Sequence, residues 1–513
     1  MAGIIINEDF ENFMASRPPE KMTEAGLKEQ IDHYARKQVE MIIFCGNGMR
    51  AMFNSHVFEP LWTDMQEMPD GKVFFRGREV ANEPVPVRNN AVNCKRLYMN
   101  NENPFKTRID YARSKGLRVC AGMRMNDIHW ASDPDFPMHS NFWREHPEYR
   151  RAPYQRPWNG QALDYAVPEV RERAMALIHE YLERFDFDGI ELDWMRTPPH
   201  FKPGFELKGL EILNDFMREV RMIADQAAKR SGHRVDVLVR VPSDPDTARR
   251  NGFDVPRWAA EKWVTHVTVT NFYLTTDYDP PLELWRVLLG SDVSLAAGLE
   301  INCRQHLNAE MGFRNTEAVV NGFAASFLYR GADKVYLFNH MDGDKSCMYD
   351  FSQFTNVLDH AGSRETVDPL VRRHVVTACD TIAPGCPYKG PVLPLTVGSL
   401  NAGWSAGAEI RLNTGGGVKG REAYIIMALD KNVPNVKVRL NTVYCHGSAG
   451  PDNWEKPVAR GTFRTWSIPQ GVLHDGDNVI EIEPSDETVV IDWCEILIQP
   501  TEKLELTNKM EGR

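Results

Sequence analysis

The feature that most constrains the fold is a set of eight short apolar runs that end in polar residues and alternate with helical stretches. The runs span residues 3–7, 40–47, 118–127, 189–196, 235–243, 266–273, 294–302 and 334–339. Apolar residues recur at three- and four-residue spacing in 21–37, 104–115, 168–184, 209–231, 255–261, 281–290 and 316–330. Strands that alternate with helices build parallel sheets, and eight such units close into a barrel. We therefore predict an α/β fold, a (β/α)8 TIM barrel.

The sequence pattern changes near residue 384 of the 513 residues. Beyond it, short alternating runs such as 423–429, 436–440, 478–482 and 489–498 are separated by Gly, Asn and Pro. This pattern is typical of an all-β sandwich. We predict a barrel over 1–383 and a β-sandwich over 384–513, which either binds carbohydrate or braces the barrel.

Two long segments interrupt the barrel pattern. Residues 54–105 follow the second run and have little periodicity, so we expect a lid or a subunit contact at the barrel mouth. Residues 126–161 follow the third run and are rich in aromatic residues. These aromatic rings suit stacking on sugars, and they equally suit ordinary loop packing.

Composition excludes several classes of function. The net charge of −11 argues against binding to nucleic acid or to an anionic membrane surface. The nine cysteines include no CxxC pair, which argues against a zinc site or a disulfide scaffold. Because no signal peptide or long apolar stretch is visible, we expect a cytoplasmic protein, although a chain whose leader had been removed would look the same.

The fourth run, 189–196, places two carboxyl groups on one face of a strand. Glu191 and Asp193 are two residues apart, and side chains alternate between the faces of a strand. Arg124 and Arg240 end the neighbouring runs, so an Arg124–Glu191–Arg240 charge network is a natural expectation. Asp193 lies nearer the rim and is the better candidate for chemistry, because adjacent arginines favour its ionised form.

Hydrolysis of a glycosidic bond also requires a protonated carboxyl group that donates to the leaving oxygen. Glu300 ends the seventh run, across the barrel from the fourth, and is the favoured acid. Asp244 follows the fifth run and is the alternative, although its Pro-Ser-Asp-Pro-Asp setting is typical of a turn.

Other polar residues at the ends of the runs are predicted to bind substrate. This set comprises Arg124, Asn126, His129, Glu191, Arg196, Arg240, Asn271, Tyr273 and Asn339. Arg124, Arg196, Arg240 and Arg304 supply more positive charge than a neutral sugar needs. They suggest a uronic or sulfated glycan, unless neighbouring acids neutralise them.

Three short motifs resemble the glycosyl hydrolase-like family 10 barrels. They are 163–171, which contains Pro-Glu-Val-Arg; 187–196, which contains Asp-Gly-Ile-Glu-Leu-Asp; and 331–339, which is similar to the last barrel strand of that group. The resemblance covers about residues 1–345 in pattern and implies a TIM barrel and carbohydrate hydrolysis, with Asp193 similar to the nucleophile of α-glycosidase-type barrels. This chain has Glu191 where the family pattern often has His, and Trp194-Met195 where it has Tyr-Ile.

The leading hypothesis is a glycoside hydrolase acting on an oligo- or polysaccharide. A non-catalytic carbohydrate-binding barrel is the first alternative. The second is an enzyme with a metal held by Asp193, Glu300 and His129, although the spacing of a metal motif is lacking. We predict no metal and no other cofactor, a carbohydrate as the partner, and a homodimer as an arrangement that the long insertion would allow.

Overall fold

The protein is described here by a computed structural model. The structure describes residues 3–81, 86–101, 103–152, 158–272, 275–309, 313–343, 350–383, 385, 390–398, 407–433, 436–451, 454–484 and 487–500.

Eight parallel strands form a closed barrel, which confirms the predicted fold. They are β1 (Ile4–Asp9), β2 (Val39–Cys45), β3 (Arg118–Arg124), β4 (Gly189–Asp193), β5 (Asp236–Pro242), β6 (His266–Thr270), β7 (Ser294–Glu300) and β8 (Lys334–Phe338). Each strand pairs with the strand before it and the strand after it in the sequence, and β8 closes the barrel by pairing with β1. The strands are buried along nearly their whole length, as expected where side chains fill the barrel on one face and meet helices on the other.

Helices connect the strands and cover the outside of the barrel. Those among the described residues are α1 (Phe10–Ser16), α2 (Glu24–Tyr34), α3 (Val87–Asn100), α4 (Pro104–Ser114), α5 (Asn141–Glu145), α6 (Pro168–Arg184), α7 (Gly209–Ser231), α8 (Pro245–Arg250), α9 (Val255–Ala260), α10 (Leu282–Leu289), α11 (Glu317–Tyr329), α12 (Phe351–His360) and α13 (Arg364–Val367). Local signals set several ends. Pro168 occupies the first turn of α6, and Gly232 adopts a left-handed conformation after α7. Among the described helices, none is long and apolar enough to cross a membrane.

The long insertion after β2 is more regular than predicted. It contains an antiparallel sheet of Met65–Glu67, Val73–Phe75 and Arg78–Glu79, followed by α3. Arg50 ties the insertion to the aromatic segment, since its guanidinium donates to the Thr63 carbonyl over 2.7 Å and to the His139 carbonyl over 3.1 Å. Both segments follow strands on the carboxyl side of the barrel, where the predicted mouth lies.

The C-terminal residues form two antiparallel sheets, which confirms the predicted sandwich. Their strands are β9 (Arg372–Val375), β10 (Leu395–Val397), β11 (Ala408–Asn413), β12 (Ala423–Leu429), β13 (Val438–Leu440), β14 (Val443–Tyr444), β15 (His446–Ser448), β16 (Thr462–Ser467), β17 (Asp477–Ile482) and β18 (Val489–Ile498). One sheet runs β9-β18-β12-β16-β15, with β10 also on β18, and the other runs β11-β17-β13-β14. A separate apolar core lies between the sheets.

One strand of the sandwich sheet lies before the predicted domain boundary at 383/384. Strand β9 pairs with β18 in the sandwich sheet, so the second domain already includes residues 372–375. The sequence pattern did not predict this strand because Arg372, Arg373 and His374 are polar. Arg373 is nevertheless buried and pairs with the buried Glu495 over 2.9 Å.

Candidate active site

Three charged side chains lie side by side at the carboxyl end of the barrel. Arg124 at the end of β3 is in register with Asp193 at the end of β4, and Asp193 is in register with Arg240 of β5. The three side chains are at most 7% exposed. Because the carboxyl ends of parallel barrel strands face one mouth, this row forms the floor of the candidate site.

Asp193 is held by two donors. The Arg240 Nη1 donates to both carboxylate oxygens, at 3.1 Å to Oδ1 and 3.0 Å to Oδ2. The Met195 backbone N–H donates to Oδ1 over 3.0 Å. These donors fix the orientation of the carboxylate.

Arg240 is itself fixed on several sides. Its Nη2 donates to the carbonyls of Asn271, over 3.2 Å, and Phe272, over 3.1 Å. Its guanidinium also lies 3.7 Å from the ring centre of Phe338, the last residue of β8. Arg240 was predicted to bind substrate, whereas in the structure it orients Asp193.

Glu300 at the end of β7 has a different environment. It is 4% exposed, and the Asn339 amide donates to Oε1 over 2.9 Å and to Oε2 over 3.2 Å. Burial raises the pKa of Glu300 to about 8, and the Asn339 hydrogen bonds and the charges of Arg240 and Arg196 offset this only in part. The carboxyl group is therefore protonated at neutral pH.

Asn339 owes its position to a left-handed backbone, with φ of 61°. Asparagine is among the few residues other than glycine that adopt this conformation readily. Backbone strain of this kind clusters at functional sites. The predicted place of Asn339 at the mouth therefore stands, as a partner of Glu300.

The predicted Arg124–Glu191–Arg240 network does not form. Glu191 is fully buried below Asp193, and its Oε1 accepts from Asn7 over 3.1 Å and from the Tyr336 hydroxyl over 2.7 Å. Its Oε2 has no hydrogen-bond partner within the described residues. Burial, together with the charge of Asp193, raises the pKa of Glu191 to about 8. Glu191 is thus a buried neutral acid and lies out of reach of a substrate, contrary to its predicted role.

Arg124 forms ion pairs with Asp9 at the end of β1 and with Asp127, the latter over 2.7 Å. His129 Nδ1 also pairs with Asp127, over 2.7 Å. Although burial raises the pKa of Asp127, His129 and Arg124 hold it well below its usual range. His129 keeps a half-exposed side chain, and its Nε2 lies 3.3 Å from Arg196 Nη2. His129 and Arg196 therefore lie next to each other beside Asp127, and their contact with a substrate stays a prediction.

Two predicted substrate ligands support loops instead. The Asn126 amide donates to the Leu163 carbonyl over 2.9 Å and accepts from the Leu163 N–H over 2.9 Å, which closes the aromatic segment. The Asn271 amide donates to the carbonyls of Thr275, over 2.8 Å, and Ala378, over 2.9 Å. A buried amide whose donors and acceptor bond to backbone is not available to a ligand.

Asp244 is not part of the site. Its carboxylate caps α8 by accepting from the Thr247 N–H over 2.8 Å, as the turn-like sequence suggested. It lines a cavity of about 220 Å³, which it shares with Asp277, Cys379 and Ile382 and which neither Asp193 nor Glu300 lines. Tyr273 lies outside the described residues.

The metal set of the second alternative, Asp193, Glu300 and His129, does not come together, because His129 pairs with Asp127. Within the described ranges, no group of three or more His, Cys, Asp or Glu side chains is arranged to hold a metal ion.

Sequence reasoning missed several residues of the site. Asp9 could have been found by extending the first run by two residues. Glu11, at the start of α1, lies in the electrostatic field of Arg124 and Arg196, and burial raises its pKa to about 8. Its Oε1 is buried, and no partner is found for it in the part of the chain that the structure describes. Sequence periodicity gives no signal for Glu11, because its helix has only seven residues.

No family model and no curated protein matches the chain, so the likeness to glycosyl hydrolase-like family 10 remains a resemblance. Among solved structures, the chain is similar to a cycloisomaltooligosaccharide glucanotransferase of Paenibacillus sp., with 8% identity and a TM-score of 0.32 over 96% of this chain and 56% of that one. It is similar to a β-galactosidase from the psychrophilic Marinomonas ef1, with 11% identity and a TM-score of 0.40 over 69% of this chain and 59% of that one.

A third similar structure is a noncanonic maltogenic α-amylase of Thermotoga neapolitana, with 12% identity and a TM-score of 0.37 over 95% of this chain and 98% of that one. The chain spans less than two thirds of the length of the first two proteins. At these identities and TM-scores, the likeness bears on neither activity nor substrate.

Proposed function

We propose that the protein is a glycoside hydrolase in which Asp193 is the nucleophile or base and Glu300 is the general acid. The observation that carries this proposal is the contrast between the two carboxyl groups. Asp193 is ion-paired with Arg240, while Glu300 is desolvated and bonded only to the neutral amide of Asn339 among the partners described above. One ionised and one protonated carboxyl group at one mouth is the combination that glycosidic bond cleavage requires.

In this mechanism, Glu300 donates its proton to the glycosidic oxygen as the bond to the sugar breaks. Asp193 then either attacks the anomeric carbon or activates a water molecule that attacks it. Arg240 keeps Asp193 oriented throughout. His129 and Arg196 line the mouth, where they would contact hydroxyl groups of the sugar.

On the charge of the substrate, the structure favours a neutral sugar over the anionic glycan that the arginines suggested. Arg124 pairs with Asp9 and Asp127, and Arg240 pairs with Asp193. Arg196 lies in the electrostatic field of Asp127 and Asp193. Three of the four arginines thus lie beside the negative charges of three aspartates before any ligand binds.

A non-catalytic carbohydrate-binding protein is the second candidate. It is favoured by one observation: the Asp193 side chain is only 5% exposed, and hydrogen bonds occupy both of its oxygens. Such a carboxylate must exchange or share its donors before it can react.

The test is turnover of a panel of neutral and uronic aryl glycosides by wild type, Asp193→Asn and Glu300→Gln. Asp215→Asn, on the exposed side of α7, is the matched control. We expect Asp193→Asn to lower kcat/KM by about 10³-fold or more, and Glu300→Gln by about 10²–10⁴-fold. The loss in Glu300→Gln should be smaller for dinitrophenyl leaving groups, which need little protonation. Wild-type turnover that survives Asp193→Asn would refute the assigned role, and saturable binding without turnover would favour the second candidate.

A further inference from the structure

The sandwich domain contributes a segment to the barrel mouth. Residues 377–381, called the crossing segment here, directly follow β9 and Val376, and the Val376 N–H donates to the Cys494 carbonyl of β18 over 3.0 Å. From there the chain crosses to the barrel. The Ala378 N–H donates to the Arg304 carbonyl over 3.1 Å, and the Thr377 hydroxyl donates to the Thr276 carbonyl.

The crossing segment is bonded to the loop that follows β6. The Phe272 N–H donates to the Asp380 Oδ1 over 2.7 Å, and the Asp380 N–H donates to the Asn271 Oδ1 over 3.3 Å. The Asn271 amide in turn donates to the Ala378 carbonyl over 2.9 Å. A carboxylate that accepts from a backbone N–H is a strong, charge-assisted contact.

The same loop holds the arginine that orients the proposed nucleophile. The carbonyls of Asn271 and Phe272 both accept from Arg240 Nη2, and Arg240 Nη1 binds both oxygens of Asp193. An unbroken series of hydrogen bonds therefore runs from Asp380 through Phe272 and Arg240 to Asp193. Each of these bonds is between 2.7 and 3.1 Å long.

Asp380 also acts on the proposed acid through its charge. After burial, which is the largest cause, the negative charge of Asp380 contributes to the raised pKa of Glu300, against the charges of Arg240 and Arg196. One residue outside the barrel strands thus acts on both members of the carboxyl pair. We propose that Asp380, supplied by the crossing segment, is a positioning residue that holds the Asn271–Phe272 loop and, through it, the Arg240–Asp193 pair.

This role differs from simple bracing of two domains. A second contact, between Asp492 of β18 and the loop after β7, also joins sandwich and barrel, since Asp492 binds Gln305 over 3.2 Å and His306 over 3.0 Å. That contact touches neither Asn271 nor Phe272. Asp492→Asn is therefore a matched control, which weakens the domain contact and leaves the series to Asp193 intact.

The inference rests on the proposed function for its kinetic part only, so the experiment has two independent readouts. Hydrogen exchange of peptides covering residues 266–272 measures how strongly Asp380 protects the Phe272 amide. This readout does not require a known substrate. The pH dependence of kcat/KM, on whichever aryl glycoside the wild type hydrolyses fastest, reports the effect on the carboxyl pair.

In Asp380→Ala, we expect exchange at the Phe272 amide to rise about 10-fold or more and kcat to fall about 10-fold with little change in KM. Asp380→Asn keeps an acceptor oxygen but loses the charge. It should largely retain protection and shift the alkaline limb of kcat/KM to lower pH, because loss of the negative charge lowers the pKa of Glu300. Asp492→Asn should change neither the exchange at the Phe272 amide nor the alkaline limb of kcat/KM.

Exchange in Asp380→Ala that matches Asp492→Asn would overturn the positioning role, even in a protein without measurable turnover. Should Asp380→Ala fail to fold, Asp380→Ser takes its place, and exchange at the Phe272 amide of Asp380→Ser that matches Asp492→Asn would overturn the positioning role instead. Absence of wild-type turnover on every glycoside, with the expected change in exchange, would count against the proposed function while supporting the hold of Asp380 on the loop.

Discussion

Three acids in the barrel, Glu191, Asp193 and Glu300, differ in the partners that surround them. Asp193 faces a guanidinium, Glu300 faces an amide, and Glu191 faces an amide and a phenol. Only the first partner carries a charge that favours ionisation. The same functional group therefore lies in three different electrostatic environments within one barrel.

The raised pKa of Glu300 predicts a pH limit for catalysis. The proton donor is present below a pH of about 8 and is lost above it, so kcat/KM should fall about tenfold per pH unit on the alkaline side. The pH dependence of kcat/KM in wild type and in Glu300→Gln tests this limit. The variant lacks the titrating group, so its kcat/KM should not fall on the alkaline side. An unchanged limb in Glu300→Gln would contradict the assignment and point to Glu11, whose pKa is raised to a similar value.

Sequence reasoning found the acids of the mouth more readily than their partners. Asp193 and Glu300 could be predicted because they end apolar runs. The alternation of side chains places Glu191 and Asp193 on one face but does not give the depth of each carboxyl group in the barrel, and so does not show that only Asp193 binds Arg240. Asp380 had no signal, because it lies 140 residues from Arg240 along the chain (380 minus 240) and approaches only through the folded second domain.

Helix α11 packs against both domains, because it has buried residues on all of its sides. Nearly every residue from Val319 to Leu328 is buried, as expected for a helix covered on both faces. Gly322 lets strand β9 approach closely: a Cβ at this position would lie 2.1 Å from the Arg373 carbonyl oxygen. The eight strands and this helix were predictable from periodicity, whereas β9 was not, because its buried charges resemble a surface segment.

Gly322→Ala is therefore expected to separate α11 from β9. The added methyl group meets backbone atoms that cannot rotate away, so we expect a destabilisation of about 1–3 kcal/mol or more. Thermal unfolding monitored by circular dichroism measures this, with Ala318→Ser in the half-buried first turn of the same helix as the control. A melting temperature equal to that of the control would contradict the close approach.

For the whole molecule, burial of acids links folding to pH. Among the residues that the structure describes, four carboxyl groups have a pKa raised to about 8, chiefly by burial: Glu8, Glu11, Glu191 and Glu300. In the unfolded chain these groups titrate near pH 4.5. The folded protein thus binds more protons than the unfolded chain between about pH 4.5 and 8, and its stability falls as pH rises through that window.

Buried histidines oppose this trend only in its lower part. Burial lowers the pKa of His200, His266 and His340 to about 4, so the unfolded chain takes up their protons first as pH falls below about 6.5. Above pH 6.5 these histidines are neutral in both states. The acids therefore determine the sign of the pH dependence between about pH 6.5 and 8.

We expect the midpoint of thermal unfolding to fall from pH 6.5 to pH 8, and Glu191→Gln to reduce the slope. The glutamine keeps an acceptor for Asn7 and Tyr336 but cannot ionise, and one pKa unit corresponds to about 1.4 kcal/mol. Glu219→Gln, on the exposed face of α7, should leave the slope unchanged. A wild-type midpoint that is constant or rises over this interval would show that the buried acids ionise as freely in the folded protein as in the unfolded chain.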